Sequence, residues 1–152
     1  MLIDEMPAGR EMDKAIGQHI FKYWVDHYDK DYAENCYYCL MDGSGDAVIP
    51  GLHEGERRTE EEAWADCPEF STDIAASWEV AGRLTKIQCG DDFYAFEITK
   101  KHYGWWVRVK HPLWMGIHNE LGKNYEMYQA HADTAPLAIC RCALKVAGVT
   151  EI

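Results

Sequence analysis

A chain of 152 residues is the length of one domain and long enough to bury a core without disulfide or metal staples. Its 47% apolar content and five prolines argue against disorder, and no apolar run approaches the roughly 20 residues of a membrane span. The net charge of −11 works against binding a phosphate backbone and favours basic partners, although the same excess would also keep a small protein in solution.

The N-terminus, Met1-Leu2-Ile3-Asp4-Glu5-Met6, lacks the basic start and apolar stretch of an export signal, so a cytosolic protein is expected. Pro7-Ala8-Gly9-Arg10 then leads into Met12, Ile16, Ile20 and Trp24, spaced four apart. That stripe predicts a first helix over residues 9–26, with Gly17 marking a place of close packing. Residues 27–32 read as a polar loop. Cys36 to Met41 and Ala47 to Ile49 flank Asp42-Gly43-Ser44-Gly45-Asp46, the signature of a hairpin whose second strand Pro50 confines to an edge or an end. Thr59-Glu60-Glu61-Glu62 has the capping-box spacing and predicts a short helix to Asp66, with Ala63 and Trp64 turned inward. Pro68 stops that segment.

Ser71 is the expected cap of a second long helix, with Ile74, Trp78, Ala81 and Leu84 as its buried stripe. From Lys86 the period changes to two. Ile87–Cys89, Phe93–Thr99, Trp105–Lys110 and Tyr125–Ala132 read as about four strands of an antiparallel meander. Tyr94, Phe96 and Ile98 share one face of the second strand. Trp105, Val107 and Val109 lie opposite Trp106, Arg108 and Lys110 on the third. Residues 112–123 form a long loop. Asp133 or Thr134 then caps a last helix with Pro136 in its first turn, an apolar face from Leu137 to Ala147, and Gly148 at its close.

This order predicts an α+β layered sandwich in a single domain spanning 1–152: N-terminal helices, an antiparallel meander and a C-terminal helix, with an acidic hairpin and loop insertion. Charge divides it. Residues 1–70 carry 17 acidic and 6 basic side chains, whereas residues 71–152 carry 9 of each. An acidic helix-plus-hairpin arm (1–70) and a neutral helix–meander–helix core (71–152) are therefore expected.

Three segments carry a family resemblance. Met6-Pro7-Ala8-Gly9-Arg10-Glu11-Met12-Asp13, Cys67 to Ile74 with its Ser-Thr-Asp centre, and Ala135-Pro136-Leu137-Ala138-Ile139-Cys140-Arg141 together resemble the phage ABA sandwich domain family, small proteins of phage and prophage genomes. The resemblance implies an α/β/α-type sandwich and a protein working in the host cytoplasm. It implies no reaction.

Candidate chemistry falls into three groups. Cys36-x-x-Cys39 with His53 and Cys67 has the residue types of a tetrahedral zinc site, the one cofactor the sequence suggests, against the competing reading of buried free thiols. Trp105 and Trp106 beside Arg108 would stack on the base of a nucleotide-like ligand and hold its phosphate. Arg10 and Arg141, with Asp13 and Asp73, are the charged members of the matching segments. They would hold an anion or a ligand carboxylate where helix ends meet, or else pair and cap within the fold. The helix–strand–strand–strand–helix order is similar to that of double-stranded RNA-binding domains. The acidic charge and the lack of a basic loop cluster argue against nucleic acid.

The chain has no P-loop, nucleophile elbow or HExxH motif, and its seven histidines show no helical pairing. The leading expectation is thus a non-enzymatic accessory protein that binds a host protein with a basic surface, inhibiting a host defence protein being a natural role. A small-ligand or nucleotide-binding protein is the alternative, and a zinc-containing module the third.

Overall fold

The computed structural model describes residues 1–28, 37–52, 56–89, 91–112 and 126–152. At its centre is a three-stranded antiparallel sheet, β5 (Ala95–Lys101), β6 (Gly104–Lys110) and β7 (Met127–Ala132), in the order β5-β6-β7. Val107 pairs with Ile98 on one side and Ala130 on the other, and these side chains share the face that meets the helices. Two smaller ribbons flank it. One pairs β1 (Trp24–Tyr28) with β2 (Tyr37–Met41), the other β3 (Gln88–Cys89) with β4 (Asp92–Phe93). The long helix α4 (Ala135–Val146) lies on β6 and β7, and α3 (Ile74–Leu84) packs on α4. Two short helices precede them, α1 (Arg10–Ile16) and α2 (Glu60–Trp64).

The alternation of β6 has the expected consequence. Val107 and Val109 are fully buried and Trp105 is half-buried against the core. Trp106, Arg108 and Lys110 take the outer face, where Lys110 pairs with Glu97 at 2.7 Å. The last helix buries Ala138, Ile139, Cys140, Cys142, Ala143 and Leu144, and Gly148 ends it at φ 78°. The capping box forms at α2: Thr59 Oγ1 accepts from Glu62 N–H at 3.1 Å, while the Glu62 carboxylate accepts from Arg58 N–H. Ala63 and Trp64 are buried as expected. One core joins both halves of the chain, since Ile3, Met6, Met12, Ile16, Phe21 and Phe70 pack with Val80, Val107 and Ile139. Among the described residues, no helix is long and apolar enough to cross a membrane.

The structure corrects four local expectations. The first helix does not run to residue 26. It ends at Ile16, continues through one π-type turn (Gly17–Phe21) and stops at Lys22, which takes the left-handed conformation at φ 60°. Tyr23-Trp24-Val25 favours extended backbone, and tertiary pairing with β2 replaces the predicted helix end and the first two residues of the predicted loop, the rest of which lies outside the described residues. Trp24 is accordingly 46% exposed rather than part of a buried stripe. The expected partner of β2, Ala47 to Ile49, shrinks to a single bridge between Met41 and Ala47, with Val48 N–H donating to the Leu40 carbonyl at 2.9 Å, while β1 pairs along the other edge.

On α3, Ile74 and Trp78 are exposed, and Ser77, Val80, Ala81 and Leu84 are buried. Ala81 and Leu84 are buried as predicted, while Ser77 and Val80 take the places of Ile74 and Trp78 on the face that packs inward. Last, the predicted second strand breaks at Tyr94, so Phe93 joins Asp92 in pairing with β3 and the main sheet is three strands wide.

Gly17 does mark close packing. A Cβ there would come within 2.9 Å of the Tyr23 ring and 3.1 Å of Cys67 Sγ.

Candidate functional site

The three motif segments meet. Gly9 N–H donates to Ser71 Oγ at 2.9 Å, and Ser71 N–H donates to Asp13 Oδ1 at 2.7 Å, so the segment before α1 is tied to the segment before α3. Ser71 is therefore a buried bridge, and the cap of α3 is Asp73, whose Oδ1 accepts from Ala75 N–H at 2.9 Å. From the third segment, Arg141 donates Nη1 to the His131 carbonyl at 2.9 Å and Nη2 to the Met6 carbonyl at 2.8 Å. Arg10 instead sits at the surface and donates to the Glu61 carbonyl at 3.2 Å. Asp73 thus caps a helix, as the sequence allowed, while Asp13 and Arg141 bind backbone groups that tie the segments together.

Asp13 is the one carboxylate among the described residues that is buried. Burial pushes its pKa up from 3.8, and the two Ser71 hydrogen bonds only partly oppose this. The linked stability has a definite sign. The folded state holds the proton to higher pH than the unfolded chain, so this contribution is fully present below pH 3.8 and lost as pH rises through the folded pKa. Asp13→Asn keeps an oxygen for Ser71 N–H and cannot ionise. Its stability relative to wild type is expected to rise with pH from 3 upward and then level off, measured as urea midpoints across pH 3–7. Asp13→Ala instead leaves the Ser71 N–H without an acceptor and is expected to cost about 1–3 kcal/mol.

Trp105 and Trp106 lie on opposite faces of β6, as neighbours on a strand must. Lys100 Nζ stands 5.3 Å from the Trp105 ring and Lys101 Nζ 4.6 Å from the Trp106 ring. Tyr103 meets Trp106 edge-on at 6.4 Å, and the His131 ring lies 5.4 Å from it. Arg108 shares the Trp106 face. The structure separates the two tryptophans and brings Trp106 to Arg141 instead. With Asp4, Gln129, His131 and Lys145 they line a pocket of about 270 Å³. Lys145, one helical turn after Arg141, donates to the Gln129 carbonyl at 2.9 Å and pairs with Asp4 at 2.7 Å. These two basic side chains satisfy carbonyls of β7, the sheet's outer strand. The i, i+4 spacing of Arg141 and Lys145 is visible in the sequence, but nothing local connects them to Trp106 or Asp4.

A second cleft, about 590 Å³, opens between α1 and α2, lined by Arg10, Glu11, Lys14, Glu60, Glu61 and Trp64. Glu11, Glu60 and Glu61 are exposed around it, and Lys14 Nζ lies 5.1 Å from the Trp64 ring.

Of the proposed zinc ligands, Cys36 and His53 lie outside the described residues. Cys39 is buried on β2, while Cys67 donates to the Asp13 carbonyl at 3.4 Å. Burial pushes the thiols of Cys39, Cys67, Cys140 and Cys142 up, Cys67 and Cys142 to about 12. That favours the protonated thiol, a poor nucleophile.

The model of the phage ABA sandwich domain matches residues 14–144. Cys67 to Ile74 and Ala135 to Arg141 fall within that range, and Met6 to Asp13 immediately precedes it. No curated protein and no solved structure matches the chain.

Proposed function

The chain belongs to the phage ABA sandwich domain family, and from that premise we propose that it is a non-enzymatic accessory protein acting by binding in the host cytoplasm. Its target is a host protein with a basic surface, and inhibition of a defence protein is the consequence such binding would have. The observation that carries this reading is the α1–α2 cleft. Glu11, Glu60 and Glu61 outnumber Arg10 and Lys14 around it, Glu62 extends the same acidic turn, and Trp64 gives it an aromatic wall. Acidic rims steer basic partners, and a tryptophan in a cleft supplies the anchor on which interface energy concentrates. Against nucleotide capture stands the separation of Trp105 from Trp106, which denies these two rings a common stacking platform.

The test is capture of host proteins by wild type and by a Glu11→Gln, Glu60→Gln, Glu61→Gln variant. A specific target should be held by wild type and released as ionic strength rises from about 0.05 to about 0.5 M, where screening shortens to a few ångströms. The variant should hold it at least roughly tenfold more weakly, the scale of losing several steering charges. A target retained equally by the variant and indifferent to salt would refute the acidic cleft as the docking surface.

A further inference from the structure

We propose that the pocket at the β7 edge, where the outer face of β6–β7 meets side chains reaching from α4, binds a small oxyanion, a carboxylate or a phosphate group, through Trp106, Arg141 and Lys145. The proposal stands apart from the host-protein reading, which concerns the α1–α2 cleft on other elements.

Two observations converge on it. The first is unspent donor capacity. Among the described residues, the indole Nε1–H of Trp106 and the Nε–H of Arg141 are buried without a hydrogen-bond partner. Leaving a buried donor orphaned is costly, so two such donors on side chains that line one pocket call for an acceptor there. They come from β6 and from α4, and both side chains line the same 270 Å³ space.

The second is charge and rigidity. Arg141 and Lys145 bring two positive charges to the pocket against the single carboxylate of Asp4. The guanidinium is held in place by its own bonds to the Met6 and His131 carbonyls, which fixes the direction of Nε–H before any ligand arrives. Lys145 uses two of its three donors, on Gln129 and Asp4, and keeps a third. A donor-rich, net-positive lining selects an anionic acceptor over a cation or a neutral apolar group.

Size narrows the class. The volume lies below the roughly 300–1,000 Å³ of sites that enclose drug-sized molecules, so the ligand is a small anion or the anionic end of a longer one. Asp4 shows how the pocket would exchange: its carboxylate already occupies Lys145 at 2.7 Å, and its side chain is 59% exposed. An incoming oxyanion would take that place on Lys145 and reach inward to the two orphaned donors. Asp4 is then a competitor for the site, which gives the proposal an unusual sign.

The probes are inorganic phosphate, acetate, and a short peptide with either a free or an amidated C-terminus. The reporters are the ¹⁵N–¹H signals of the Trp106 indole, assigned by its absence from Trp106→Phe, and of Arg141 Nε. At constant ionic strength set with chloride, at least one probe should move both signals saturably. Phosphate alone succeeding identifies a phosphate site. The free but not the amidated peptide succeeding identifies a chain-end carboxylate. Lys145→Gln should weaken the same probe roughly tenfold, as loss of a charge-assisted bond does. Asp4→Asn should tighten binding several-fold, with the remaining amide signals unchanged as evidence of an intact fold. The proposal is overturned if no probe moves the two signals below about 50 mM, far weaker than a millimolar site. It is overturned equally if Asp4→Asn leaves affinity unchanged or lowers it.

Discussion

Phe70→Ala is expected to cost about 3–5 kcal/mol, the range for deleting a fully buried phenylalanine. Phe70 is completely buried and stacks on Phe21 with ring centroids 4.8 Å apart and planes within 7°. Tyr23 lies 6.4 Å from Phe70 and 5.5 Å from Phe21, and the Arg83 guanidinium of α3 stands 5.2 Å from the Phe21 ring. The cluster therefore joins the π-type turn to a distant stretch of the chain, α3 and the segment ahead of it. Removing the ring leaves a cavity that none of the three can collapse into, because the Gly9–Ser71–Asp13 bonds hold the neighbouring backbone. Urea denaturation should show a lower midpoint with an unchanged slope. Against a typical total of 5–15 kcal/mol, such a loss removes a large fraction of the stability. A cost below about 1 kcal/mol would mean that the stack does not anchor these elements.

Where the sequence was legible, one local signal and the tertiary environment agreed. The Thr59–Glu62 spacing is satisfied by bonds within one helical turn, so it forms whatever surrounds it. The alternation along Trp105–Lys110 survives because both neighbouring strands pair in register and one face meets α4. Legibility failed where two local readings competed. Met12, Ile16, Ile20 and Trp24 fit a helix, yet Tyr23-Trp24-Val25 also fits a strand, and pairing with β2 decided between them. On α3 the stripe through Ile74 and Trp78 was the larger hydrophobic signal. The helix instead turned Ser77 and Val80 inward beside Ala81 and Leu84, a face rotated from the predicted stripe by its packing on α4. Trp78 remains half exposed, edge-on to Phe96 at 5.9 Å.

The candidate site was legible as residues and not as a constellation. Trp106 and Arg141 were each singled out for a separate reason, one as an aromatic beside positive charge and the other as a motif charge. Their meeting depends on the β6–β7 register and on α4 crossing β7, neither of which a single sequence encodes locally. Asp4 carried no signal at all. Its part in the pocket follows from the pairing of the two chain ends, with Leu2 bridged to Glu151 and Ile3 N–H bonded to the Thr150 carbonyl, which sets the N-terminal turn near the end of α4.

Gly104→Ala should be the second most damaging substitution and should also disturb the oxyanion pocket. Gly104 opens β6 at φ 136°, where a side chain is strained whatever the space. There is also no space: a Cβ would lie 2.5 Å from His131 Nε2 and 2.7 Å from the Ala132 carbonyl oxygen. The imidazole could turn aside, but the carbonyl belongs to β7 and cannot move without breaking register. Strain and clash together are expected to cost about 3 kcal/mol or more. Gly82→Ala is the matched control, because Gly82 lies inside α3 with nothing within 4 Å of its would-be Cβ. That change should be neutral or stabilising by up to about 1 kcal/mol through helix propensity. The two alanines thus carry opposite signs, which thermal unfolding of both variants would read directly. The structural effect of Gly104→Ala is just as specific. His131 Nε2 meets the Tyr103 carbonyl at 3.0 Å, and its ring lies 5.8 Å from Tyr103 and 5.4 Å from Trp106. Pushing the imidazole away breaks that bond and shifts the ring beside the indole. In Gly104→Ala protein that still folds, the Trp106 indole signal should therefore move before any anion is added, while in Gly82→Ala it should stay where it is.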